Sequence, residues 1–173
     1  MATVGRTSQG ALTTSIEGRP FARQVALSAG DQVTAINAWV RCDTGAHNMN
    51  VRIFDTSGNG LATGTERSIS TGTGADEAFT ISYTIPSTAN YLIMVYSENV
   101  GGAAEAFYDA GGATAYYDAD ASNTYPMGAN WDAGFATDNV THDVSIYATY
   151  TPAAGGPASE TQYFISAGMR WGK

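Results

Sequence analysis

The sequence predicts an all-β protein, an antiparallel β-sandwich or jelly roll of about eight to nine strands. Short segments alternate polar or small residues with large apolar ones, most clearly at 78–85 and 143–150. A period of two is typical of a strand with one face in the core and the other in solvent. Glycine-rich sequences separate most of these segments, and helical periodicity is not sustained anywhere along the chain.

The strand candidates follow one another at near-regular spacing. In chain order they are the segments 24–29, 33–42, 49–55, 66–70, 78–85, 91–97, 106–109, 114–118 and 143–150. The sequence SGNG at 57–60 supplies residues that tolerate the positive φ angles of a tight connection. The pairs Gly101-Gly102 and Gly111-Gly112 predict two further turns, and Pro86 ends the segment 78–85.

The segment 91–97 departs from clean alternation because both of its faces are apolar. A strand with two apolar faces requires cover on both sides, and a two-sheet sandwich covers only one. The second cover is a long loop, the N-terminal segment or another subunit. The loop is the favoured interpretation.

The chain divides into three parts. Residues 1–21 are rich in Thr, Ser and Gly and are predicted as an extended N-terminal segment that pairs at a sheet edge. Residues 22–151 form the predicted jelly-roll domain. Residues 152–173 combine a linker of small and rigid residues with an apolar, strand-sized segment. That C-terminal segment either packs back onto its own domain or acts as an arm, whose predicted partner-binding residues are Tyr163, Phe164, Ile165 and Trp171.

Composition excludes several classes of function. The chain of 173 residues has a net charge of −8, and its only lysine is Lys173, so it lacks the clustered basic residues that nucleic acid requires. Residues 1–20 lack the apolar core of a signal peptide, which predicts synthesis in a cytoplasm. No stretch reaches the roughly 18 apolar residues of a membrane helix. Cys42 is the single cysteine; it permits no disulfide within the chain, and we expect it to be buried.

The densest candidate site is a cluster of aromatic residues and aspartates between positions 107 and 135. Tyr108, Tyr117 and Trp131 are predicted as a glycan-stacking platform, because aromatic faces pack on sugar C–H groups while nearby polar side chains bond the hydroxyls. The favoured interpretation, however, is that one ring of each aromatic pair points into the core and the other covers a sheet edge or a subunit contact. The aspartates match no calcium-loop spacing, and two scattered histidines with one cysteine make neither a zinc site nor a catalytic set. The sequence therefore predicts no metal, no cofactor and no enzyme activity.

Three stretches occur together in an order that resembles a known group of domains. They are VTAINAWVR at 33–41, VRIFD at 51–55 with its SGNG turn, and YYD at 116–118 through YPMG at 125–128 and Trp131 to SIYATYT at 145–151. This order resembles the jelly-roll modules, similar to carbohydrate-binding modules, that recur in phage virion proteins such as capsid decoration proteins and tail or fibre proteins. The resemblance covers residues 22–151.

The resemblance implies a structural part of a virion, a decoration or cement protein. Such a protein binds the capsid protein and neighbouring copies of itself, in decoration proteins as a homotrimer on the capsid surface. An edge strand that adds to a partner sheet supplies backbone hydrogen bonds for such attachment. The second hypothesis is a carbohydrate-binding module for tail or cell-surface attachment, with Tyr108, Tyr117 and Trp131 as its platform.

Overall fold

The computed structural model describes residues 1–70, 72–98, 101, 104–118, 125–127, 130–131 and 139–154. These residues form twelve β-strands and no helix, which confirms the predicted all-β class. All pairings between the named strands are antiparallel. In this part of the chain there is accordingly no helix that is long and apolar enough to cross a membrane.

The strands range from three to fourteen residues in length. They are β1 Ala2–Gly5, β2 Leu12–Ser15, β3 Phe21–Leu27, β4 Gln32–Cys42, β5 His47–Phe54, β6 Gly60–Thr63, β7 Arg67–Ile69, β8 Ala75–Thr84, β9 Ala89–Ser97, β10 Ala104–Tyr117, β11 Asn139–Val144 and β12 Ile146–Thr151.

Hydrogen bonds connect the strands in the order β1-β12-β4-β10-β3-β9-β5-β6, with β8 on β4, β2 and β11 on β10, and β7 on β5. We call β8, β4, β12 and β1 the four-strand array. Its inward side chains, such as Ile36 and Phe79, share one buried cluster with inward side chains of the other strands, such as Phe21 and Ile93. The main core therefore lies between the four-strand array and the β3–β9–β5 strands.

Strand β10 corrects the prediction of two strands separated by a turn at Gly111-Gly112. The two glycines have φ angles of 82° and 96°, and the register with β11 shifts between Ala110 and Thr114. The extra residues bend the strand without reversing it, because β11 stays paired on both sides of the irregularity. Positive φ here marks a bulge within one strand.

The opposite error occurs at 143–150, which the alternation pattern predicts as one strand. The chain instead changes its pairing partner at Ser145: β11 pairs with β10, and β12 pairs with β4. The Ser145 amide donates to Phe107 O at 2.9 Å, and its carbonyl accepts from Trp39 N at 2.9 Å. Side-chain alternation does not record such an exchange of partners. Strand β6 was also not predicted.

The N-terminal segment is extended and paired. Strand β1 pairs with β12 and β2 pairs with β10. The segment also enters the core: Ile16 is fully buried in the main cluster. Its backbone accepts a hydrogen bond from Ser97 N at 2.9 Å and donates one to Ala104 O at 3.0 Å.

The second apolar face of β9 is covered by the loop, which confirms the favoured interpretation. Leu92, Met94 and Tyr96 pack with Met127 and Trp131 in a separate buried cluster, which we call the second cluster. Trp131 N donates to Gly58 O at 2.9 Å, so the loop is also attached to the turn after β5.

Two further expectations concern single positions. Cys42 is buried as expected, and burial raises the pKa of its thiol. The last described residues lie beside the turn after β3, where Ala153 N donates to Asp31 Oδ1 at 3.1 Å. The predicted arm residues Tyr163, Phe164, Ile165 and Trp171 lie outside the described residues.

Candidate functional site

Two rings of the predicted glycan platform lie against the main core. The ring centroids of Tyr108 and Tyr117 are 5.7 and 5.4 Å from that of Phe21, both in edge-on geometry. Tyr108 is also stacked on His142 at 4.4 Å, and the Tyr117 hydroxyl donates to Ser15 O at 3.2 Å. Both rings therefore serve as packing partners for buried groups.

Trp131 lies elsewhere. Its side chain belongs to the second cluster, is 5% exposed and meets the Phe54 ring at 5.7 Å. Phe21 and Ala22 are successive residues of β3, and they face the main core and the second cluster respectively. Because successive strand residues point to opposite faces, Trp131 lies on the other side of the sheet from Tyr108 and Tyr117. The structure does not bring these three rings together on one surface.

The aspartates near the cluster hold chain segments together. Asp109 accepts from Ala11 N at 2.7 Å and lies 2.5 Å from Arg6. These two contacts, that of the Ala11 amide being the stronger, lower the pKa of the Asp109 carboxyl. Asp143 pairs with both Arg6 and Arg23. The N-terminal segment, β3, β10 and β11 therefore meet in one network of charges.

The two histidines lie on different strands, His47 on β5 and His142 on β11. His47 is 2% exposed; its Nδ1 lies 3.5 Å from Glu17 Oε1, and its Nε2 lies 3.2 Å from Thr44 O. His142, on β11, stacks on Tyr108. Among the described residues, no group of three or more His, Cys, Asp and Glu side chains could hold a metal ion.

The structure reveals a half-buried aromatic pair on the outer face of the four-strand array, which the sequence pattern had not singled out as a site. Tyr147 on β12 donates from its hydroxyl to Asp76 Oδ2 on β8 at 2.6 Å. Trp39 on β4 donates from Nε1 to Thr7 O, just after β1, at 3.0 Å. We call Trp39 and Tyr147 the outer aromatic pair.

The two hydrogen bonds determine how these side chains lie. Strand β4 separates β12 from β8, so Tyr147 and Asp76 are attached to backbones about 10 Å apart. The phenol reaches Asp76 only by lying across the sheet. Asn37, the register partner of Tyr147, is 7% exposed although it points outward, which fits a ring lying over it. Burial and the bond to Asp76 raise the pKa of Tyr147 to about 12.

Neutral polar side chains continue this face beyond the aromatic pair. Asn37 Nδ2 donates to Thr149 Oγ1 at 3.0 Å, and Thr84 Oγ1 donates to Gln32 Oε1 at 2.8 Å. One row of register partners runs through Asn37 and another through Gln32, at the start of β4. The outward residues of the array from the first row to the second carry no charge. Besides Asn37 and Tyr147 they are Thr3, Gln32, Thr34, Ala35, Ala78, Thr80, Ser82, Thr84, Thr149 and Thr151. This part of the face is therefore neutral and rich in hydroxyl groups.

One signal in the sequence pointed to this face. The alternation in 143–150 places Tyr147 outward, and that in 33–42 places Trp39 outward. That Trp39 and Tyr147 share a face, with Asp76 beside them, depends on the register of three strands distant in sequence.

Comparisons of the chain with protein-family models, with curated proteins and with solved structures found no match. Function is therefore inferred from the side chains and their geometry.

Proposed function

We propose that this chain is a non-enzymatic structural protein of a phage virion, a capsid decoration or cement protein with a jelly-roll body. In this proposal it is made in the host cytoplasm, binds the outer capsid surface and neighbouring copies of itself, and stabilises the particle. The observation that carries the proposal is the role of the ionisable side chains in the described residues: Arg6, Arg23, Asp109 and Asp143 connect distant segments of the chain.

The arrangement of strands supports a body of this kind. Two groups of antiparallel strands enclose one apolar core, which is consistent with a sandwich of the jelly-roll type. Described stretches that resemble virion jelly rolls lie in or directly beside strands of this body; they are 33–41, 51–55, 116–118 and 145–151. Loop cover of the outer face of β9 and the paired N-terminal segment add rigidity, which a particle-stabilising protein requires.

The C-terminal segment supplies the proposed attachment. The hydrogen bond between Ala153 N and Asp31 Oδ1 holds the start of this segment at a defined place on the body. Beyond it, Tyr163, Phe164 and Ile165 provide apolar side chains for strand addition to a partner, and Trp171 adds a further apolar anchor. Stable attachment of one copy requires an interface of roughly 1,200–2,000 Å², which the segment and one sheet face can supply together.

The proposal is tested on particles from the source of the sequence. Antibodies raised against the purified chain are used for immunogold electron microscopy of the released virions, and light scattering gives the mass of the free protein. We expect regular labelling of the capsid and a trimer in solution. The double variant Phe164→Ser, Ile165→Ser should keep its circular dichroism spectrum but no longer bind particles that lack the protein. Capsids without label, or full binding by the double variant, would contradict the proposal.

A further inference from the structure

We propose that the outer aromatic pair, Trp39 and Tyr147, is a binding platform for a neutral carbohydrate chain. This binding activity goes beyond attachment to a capsid and uses residues different from Tyr108, Tyr117 and Trp131. One copy of the protein is sufficient for this binding, because every group that the platform needs lies on one face of the four-strand array.

The first argument is the preorganisation of the rings. Each ring is half-buried and is held at its polar edge by a hydrogen bond, Tyr147 to Asp76 at 2.6 Å and Trp39 to Thr7 at 3.0 Å. A ring lying across the sheet turns one face to the sheet and the other to solvent. Such a ring offers an apolar surface to the C–H face of a pyranose. Because the side chains are already held, binding costs little conformational entropy.

The second argument is the set of polar groups around the rings. Asp76 is exposed, and its carboxylate has acceptor capacity beyond the one hydrogen bond that Tyr147 donates. Thr80 and Thr149 are register neighbours on either side of Ala35, and a hydroxyl group both donates and accepts. Sugar hydroxyls have the same dual character. A few convergent polar groups beside an apolar surface are the usual composition of a small-ligand site.

The third argument is charge. The chain carries a net charge of −8. Asp76 is bonded to Tyr147, and the nearby cation Arg41, two positions after Trp39 on the same face of β4, is already paired with Glu105 and Asp43. An acidic polysaccharide or a nucleic acid would be repelled here. The outward residues between Asn37 and Gln32 are neutral, so a neutral ligand can lie on them without removing water from a charged side chain.

The shape of the face indicates a chain of sugars as the ligand. Outward residues recur at every second position of β12, so Tyr147, Thr149 and Thr151 define a track about 14 Å long. The outward side chains along and beside this track, after the aromatic pair, are Asn, Thr, Ser, Gln and Ala. A linear oligosaccharide lying along β12 would place one residue on the aromatic pair and the next residues on the hydroxyl rows.

The test uses the full chain and a panel of neutral oligosaccharides of glucose, mannose, galactose and N-acetylglucosamine, first on an array and then by calorimetric titration. We expect binding of at least one panel member that Trp39→Ala weakens by about tenfold or more, since both stacking and buried area are lost. Tyr147→Phe, which keeps the ring and loses the bond to Asp76, should weaken binding less. Tyr83→Phe, on the inner side of β8, is the matched control and should bind as the wild type does.

Three results would overturn the inference. The first is the absence of binding to every panel member at millimolar concentration. The second is binding that folded Trp39→Ala and Tyr147→Phe variants retain in full. The third is an oligomer in light scattering that Tyr147→Arg dissociates, because the face would then be occupied by a second copy. Immunogold labelling of virions is independent of all three, so failure of this inference and failure of the proposed function are distinguishable.

Discussion

Arg6 and Asp143 are 137 positions apart, and Arg6 Nη1 donates to Asp143 Oδ2 at 2.8 Å. The same carboxylate pairs with Arg23 on β3. One aspartate on β11 therefore joins the N-terminal segment to the body. An isolated ion pair as exposed as this one contributes little to the free energy of unfolding. Several charges in one network with restrained geometry contribute more.

The network makes stability depend on pH in the acid range. The pKa of Asp109 lies below its usual value because Ala11 N and Arg6 bond the ionised carboxylate. A lowered folded-state pKa stabilises the protein above the unfolded value of about 3.9, and that stability is lost as the pH falls through the folded value. We expect the melting temperature of Asp109→Asn to fall less steeply than that of the wild type between pH about 5 and about 2. Parallel curves for the two proteins would contradict this role of Asp109.

The burial of Trp131 predicts an effect on stability. Trp131→Ala removes a ring that is 5% exposed and packs on Phe54. We expect a loss of about 3–5 kcal/mol in the free energy of unfolding, measured by urea denaturation. Leu12→Ala, at a residue that is 43% exposed, is the control and should change stability by less than about 0.5 kcal/mol. Wild-type stability in Trp131→Ala would show that the second cluster does not hold the loop in place.

The N-terminal segment should contribute directly to the core. Ile16→Ala removes a fully buried side chain from the main cluster, and we expect it to destabilise the protein by about 2–5 kcal/mol. Thermal unfolding followed by circular dichroism measures the effect. A change within about 0.5 kcal/mol would mean that the body folds without the segment.

The bulge in β10 requires glycine. Gly112 has a φ angle of 96°, and a Cβ atom there would lie 3.2 Å from Asp143 Cβ. We expect Gly112→Ala to lower the free energy of unfolding by about 1–2 kcal/mol, because L-residues disfavour positive φ. Gly72→Ala is the control, since its Cβ atom would meet nothing closer than 3.9 Å and its φ lies outside the positive range. Equal stabilities of the two variants would exclude strain at the bulge.

The sequence by itself determined the class of fold and the position of most strands. Alternation in 33–42 and 78–85 identified β4 and β8, and the two apolar faces of 91–97 predicted the cover that Met127 and Trp131 supply. These features are local: the period of side chains along a strand depends on the neighbours in sequence and on which face is buried.

Only the tertiary structure decided which strands pair and what each surface carries. In the tertiary structure Gly111-Gly112 forms a bulge, and the segment 143–150 is divided at Ser145. Trp131 lies on the opposite side of the sheet from Tyr108. Trp39, Tyr147 and Asp76 lie on one face. The physical reason is that register depends on hydrogen bonds between segments far apart in the chain. A shift of one residue reverses the face of every side chain in a strand, so a surface site made by three strands is not determined by any one of them.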